Sequence, residues 1–114
     1  MQIYNLAEHI SGDTWKGIST IQFIKNNVPI DLTNSFVEFG VKLSNNSPKV
    51  LTLNTQNSGV EIISPLEGKI RILPRIVDIP VGKYSWYTTL STFNSKKTYL
   101  MGLWVIIPNI PLVA

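Results

Sequence analysis

A chain of 114 residues, 44% hydrophobic and only 15% charged, with a net charge of +3 and no cysteine, fits one domain with an ordinary apolar core. Without cysteine there is no disulfide framework, no iron–sulfur cluster and no cysteine-ligated zinc, and the hydrophobic content excludes disorder. The longest apolar run, residues 103–107, is far shorter than a membrane-spanning helix requires.

Isoleucine, valine and threonine are abundant, and these β-branched types fit pleated strands. Turn signals recur every eight to twelve residues, the spacing of a sandwich or barrel. A first strand is expected over residues 2–9, ending at Ser11-Gly12-Asp13. The next, residues 17–25, places Ile21 and Phe23 on one face and stops at Asn26-Asn27-Val28-Pro29. Residues 35–43 alternate, with Val37, Phe39, Val41 and Leu43 facing inward and Glu38, Gly40 and Lys42 outward. Residues 50–54 follow a polar turn at 44–48.

Two more strands are expected at residues 60–63 and 69–72, joined by Ser64-Pro65-Leu66-Glu67-Gly68. Residues 74–80 read as an irregular crossover. The two longest strands, residues 83–92 and 98–107, flank a polar hairpin loop at 93–97. No segment carries helical periodicity. The expectation is an all-β, immunoglobulin-like antiparallel β-sandwich of seven or eight strands over residues 1–107, followed by an apolar tail at 108–114. Tyr84, just inside a long strand after a glycine turn, is placed to fold its hydroxyl back onto the preceding corner, as in immunoglobulin-like sandwiches.

Catalytic chemistry finds no foothold. The single histidine, His9, lies beside Ser11 and Asp13 near a strand end, too close in sequence to form a relay assembled from separate elements. It reads as a surface histidine. Asp13, Asp31 and Asp78 are scattered, without a calcium-type loop. Glu38, Glu61 and Glu67 alternate outward or sit in turns, as solvated carboxylates do. The seven glycines form no phosphate loop. Gly40 and Gly102 lie inside strands, where glycine marks a bulge or close packing. Asn45-Asn46-Ser47 fits a glycosylation acceptor, but no signal peptide is legible at the N-terminus. The expectation is a protein without enzymatic activity, cofactor or metal.

Lysines and arginines are spread along the chain, on outer faces and hairpin tips, so neither nucleic acid nor membrane is an expected partner. Trp15 and Tyr87 are candidate ligand aromatics for a carbohydrate-binding adhesion module, the alternative reading. The sharper signal lies in residues 98–107. One face carries Leu100, Gly102, Trp104 and Ile106, the other Tyr99, Met101, Leu103, Val105 and Ile107. A terminal strand of a small sandwich normally keeps one wet face, and a doubly apolar strand marks a partner. Tyr99, Met101, Leu103 and, in the tail, Ile110, Leu112 and Val113 are the candidate partner contacts, by burial or by strand addition at an open edge.

The order of short motifs is itself suggestive. Gly12-Asp13-Thr14-Trp15-Lys16-Gly17, Asn27-Val28-Pro29-Ile30-Asp31-Leu32-Thr33 and Gly68-Lys69-Ile70-Arg71-Ile72 are followed by Ile79-Pro80-Val81-Gly82-Lys83-Tyr84-Ser85-Trp86 and Thr98-Tyr99-Leu100-Met101-Gly102-Leu103-Trp104. Together they resemble the N-terminal domain of phage baseplate upper proteins and related tail- or fibre-attachment modules, across residues 8–107. The resemblance implies an immunoglobulin-like sandwich docked on a virion, often in a homo-oligomeric ring or fibre base. Family members commonly continue into a receptor-binding or fibre region, and their outward positions are polar where Met101 and Leu103 stand here. Both departures suggest a component wedged between neighbours. The expected protein is thus a multi-copy structural subunit of a tailed-phage virion, assembled in the host cytoplasm with other virion proteins as partners.

Overall fold

Strand forms wherever β-branched and aromatic residues alternate with polar ones. The computed structural model describes residues 2–43, 47–92 and 95–108, and every helix or strand among them is a β-strand. In chain order these are β1 (Gln2–Ile3), β2 (His9–Ile10), β3 (Thr14–Trp15), β4 (Ile18–Gln22), β5 (Ile24–Lys25), β6 (Val28–Pro29) and β7 (Phe36–Lys42). Then come β8 (Lys49–Asn54), β9 (Val60–Ser64), β10 (Lys69–Ile72), β11 (Arg75–Ile76), β12 (Gly82–Ser91) and β13 (Lys96–Ile107).

The larger sheet runs β1-β13-β12-β7-β8, with β2 also on β13, and a smaller sheet runs β4-β10-β9. Two short pairs, β3 with β11 and β5 with β6, stand outside them. The β5–β6 hairpin turns through Asn26 and Asn27, both at positive φ, the pattern of a type I′ turn. Ile21, Val60, Ile70 and Ile72 of the smaller sheet join Val37, Phe39, Val41, Leu53, Trp86, Trp104 and Ile106 of the larger one in a single buried cluster. Two packed layers around one core make the molecule an all-β, sandwich-like protein.

Aromatic rings centre that core. Phe39 stacks between Trp15 and Trp86, with centroids 5.6 and 5.5 Å away, and Trp104 meets Trp15 at 4.7 Å. Burying each such ring is worth roughly 1.5–3 kcal/mol, with about 0.5–1.5 more for a well-set aromatic pair. Tyr84 donates its hydroxyl to the Pro80 carbonyl at 2.6 Å, the corner anticipated from its position after Gly82. Tyr84, Trp86 and Leu90 share the buried face of β12.

Several expectations fail locally. Residues 2–9 do not make one strand: β1 and β2 are separate pieces, and both pair parallel with β13. Residues 74–80 are less irregular than expected, since Arg75 and Ile76 pair with Trp15 and Thr14. Leu43 is exposed, because β7 ends at Lys42 and the alternation ends with it. His9 is buried rather than on the surface: its Nε2–H donates to the Val77 carbonyl at 3.2 Å, and its ring packs on Trp104. The expected turn at residues 44–48, the Asn45-Asn46-Ser47 acceptor and the hairpin loop at 93–97 lie in whole or part outside the described residues.

Candidate functional site

The outer face of the larger sheet divides into two halves. Register places Ile3, Met101, Tyr87 and Gly40 in one row across β1, β13, β12 and β7, and Leu103, Ser85 and Lys42 in the next. Residues opposite each other in a sheet point to the same face. On the β1–β13 side the row ends are apolar. Leu103 is 53% exposed, Ile3 is exposed, and Met101 and Val105 are half-buried. Leu103 thus leaves a large side chain bare in the interior of a sheet strand, at a cost in water that only a covering surface removes.

The β12–β8 side is polar and already engaged with itself. Tyr87 lies against Gly40, where a Cβ would collide with the phenol ring, so glycine is the residue that lets the ring lie down on the sheet. Lys49 pairs with Glu38 at 2.8 Å, and the Tyr87 hydroxyl reaches the same carboxylate at 3.4 Å. Lys42 and Lys49 flank the ring at 5.4 and 5.9 Å from its centroid. The hydrogen bond from Lys49 to Glu38 raises the lysine pKa, and burial raises that of Tyr87.

Of the candidate contacts, Met101 and Leu103 come together on this face, while Tyr99 does not join them. The β12–β13 register slips between Thr88 and Thr89, which face Leu100 and Thr98, so Tyr99 is the extra residue of a bulge. A bulge re-aims its side chain, and Tyr99 packs edge-on against buried Phe23, centroids 5.5 Å apart. Ile110, Leu112 and Val113 lie outside the described residues.

Trp15 is corrected outright. It is only 9% exposed and belongs to the aromatic core, because pairing of β3 with β11 turns alternate side chains inward. Tyr87 is likewise a poor stacking platform, held down on Gly40 between two lysines.

The edge of β13 is also less open than expected. Tyr4 N–H donates to the Met101 carbonyl at 2.8 Å, Leu6 N–H to Leu103 at 2.9 Å and Ser11 N–H to Ile107 at 3.0 Å. The indole N–H groups of Trp86 and Trp104 donate to the carbonyls of Tyr4 and Ala7. The chain's own N-terminal segment therefore occupies that edge, and strand addition there is blocked. Sequence reasoning missed this lid because its pairing uses backbone groups, which leave no pattern in the side chains.

No catalytic constellation forms among the described residues. Glu61 pairs with Arg71 and Glu67 with Lys69, each carboxylate neutralised locally rather than converging with Glu38. No group of three or more histidine, aspartate or glutamate residues is gathered as a metal site there. No known protein family, curated protein or solved structure matches the chain.

Proposed function

We propose that this chain is a non-enzymatic structural subunit of a tailed-phage virion, a small immunoglobulin-like sandwich present in multiple copies and docked on its neighbours. The immunoglobulin-like reading is supported by strand order. The hairpins β7–β8 and β12–β13 share one sheet, β4, β9 and β10 make the other, and the N-terminal strands run parallel to the last one. The Tyr84–Pro80 hydrogen bond adds the corner characteristic of that architecture. The virion reading draws on the motif order that resembles phage attachment modules.

The observation that carries the docking half is the apolar band of Ile3, Met101, Leu103 and Val105 on an otherwise polar sheet face. Covering it removes apolar area from water at roughly 25 cal/mol per Å², and no side chain must change its fold to do so. The carbohydrate-binding alternative loses Trp15 as an open stacking platform, because its ring is only 9% exposed.

Purified particles from infected cells test the reading. The chain is expected in them at many copies per particle by quantitative mass spectrometry, with its density located by imaging. Leu103→Glu, exposed and therefore tolerated by the fold, is expected to cut incorporation at least about tenfold, as burying one unpaired charge costs well over 1.4 kcal/mol. Absence of the wild-type chain from particles overturns the virion assignment. Normal incorporation of the variant overturns the docking face.

A further inference from the structure

The segment that closes the edge of β13 is held by its backbone. Besides the Tyr4 and Leu6 amides on Met101 and Leu103, the Leu103 N–H donates to Asn5 Oδ1 at 3.1 Å. The Trp86 and Trp104 indoles reach the Tyr4 and Ala7 carbonyls at 2.9 and 3.1 Å. Its side chains bury little: Ile3 is 72% exposed and Tyr4 59%, and between Ile3 and Glu8 only Leu6 is half-buried. On its other side a groove of about 680 Å³, rather than packed side chains, separates it from Ile18 and Ile21 of β4. An element attached in this way opens without unpacking the core.

The joint between this segment and β2 is irregular. From Leu6 to Ser11 the chain advances five residues, while their partners on β13, Leu103 and Ile107, advance four. One residue is therefore surplus. β2 is fixed beyond it, with His9 buried against Trp104 and bonded to the Val77 carbonyl. The slack falls on Ala7 and Glu8, both exposed. A short, irregular joint between two paired strands is the kind of hinge at which an element swaps between copies.

We propose that residues 2–7 cross to the β13 edge of a second copy, whose own segment crosses back, closing a two-fold dimer. The inference rests on the multi-copy half of the reading above and not on its virion address. The site itself sets the occupant. Gly102 has no Cβ to strike the Tyr4 carbonyl, and Asn5 accepts the N–H of Leu103, so the edge is cut for this segment whichever copy supplies it. Exchange remakes every one of these bonds, and what it adds is contact. Ile3 of one copy then completes the apolar band of the other, beside the neighbour's Met101, as the register within one chain shows. A joint of two residues reaches only about 7 Å when extended. It therefore forces the two β13 edges together and sets the bands around Leu103 against each other. Reciprocity stops the assembly at two copies, since the segment and the edge of each are both used.

The chain has no cysteine, so Ile3 and Met101, directly opposite in register, can be locked selectively. The full-length double variant Ile3→Cys/Met101→Cys is expected to oxidise to a covalent dimer, read by mass under non-reducing, denaturing conditions. The two cysteines are neighbours wherever the segment lies, so an intrachain disulfide in a monomer overturns the proposal. Two faces that dock with each segment at home give that monomer, and the dimer therefore reports exchange. Four Gly/Ser residues inserted between Ala7 and Glu8 free the segment to fold back on its own chain. That insertion is expected to lower the dimer yield about tenfold, as closure within the chain gains in local concentration. An unchanged yield overturns the proposal as well, because the link then does not depend on the joint. Particle incorporation of the wild-type chain is read separately. Incorporation with the monomeric disulfide defeats only this inference, and a linked dimer without incorporation defeats only the virion reading.

Discussion

Tyr87 shows how one residue's surroundings set a property of the whole. Its ring rests on Gly40 and its hydroxyl points to the Glu38 carboxylate that also holds Lys49. Burial raises the tyrosine pKa above its ordinary 10.0, and the bond to Glu38 raises that of Lys49 above its ordinary 10.5. In both cases the folded state keeps its proton longer than the unfolded chain does. Stability from these groups is therefore complete below their ordinary values and is lost as pH rises through the raised ones. The expected outcome is a melting temperature that is flat from neutrality to about pH 9 and falls beyond about pH 10. Tyr87→Phe, which keeps the ring on Gly40 and removes the titrating proton, makes that alkaline fall shallower. An identical fall in wild type and variant would assign the effect to other groups.

The elements separate what the sequence makes legible from what it hides. Strands β7, β10, β12 and β13 are readable because each buries one face, so Val37, Phe39 and Val41, or Ile70 and Ile72, must alternate with residues that meet water. Trp15 defeats that logic, since a two-residue strand such as β3 is too short to have a period. Tyr99 defeats it differently, because a one-residue bulge inverts every side chain beyond it. The N-terminal closure of β13 leaves the weakest trace, being made by the backbone of Tyr4 and Leu6 and by two indoles. One residue does betray it: Gly102, where a Cβ would run into the Tyr4 carbonyl and the Trp86 indole nitrogen. Gly102→Ala is expected to lift residues 2–6 off β13 while β12 and β13 stay paired. Amide exchange reads this directly, with the Tyr4 and Leu6 amides losing protection and those of β12 keeping theirs. Uniform loss across the larger sheet would mean that the N-terminal segment is integral to the sandwich rather than laid on it.

For the whole molecule, about 53 Å long and 28 by 25 Å across, the shortage of charge now has a geometry. Three of its acidic residues are spent on local pairs, Glu38 with Lys49, Glu61 with Arg71 and Glu67 with Lys69, and such exposed pairs add at most about 1 kcal/mol each to stability. They remove charge from the surface without steering anything toward it. The contact band of Ile3, Met101, Leu103 and Val105 carries no charge. Association driven by this surface is a burial of apolar area, which ionic strength touches little, whereas a basic protein held to an acidic partner loses affinity as salt screens the pair. Self-association of the full-length chain, followed by sedimentation, is therefore expected to change its dissociation constant by less than about threefold between roughly 0.05 and 0.5 M salt, where the screening length shrinks from about 14 to 4 Å. It is also expected to show a negative heat-capacity change, the signature of apolar burial. A dissociation constant that climbs steeply with salt would move the interface to the lysine-bearing half of the sheet, around Lys42 and Lys49, and away from β13.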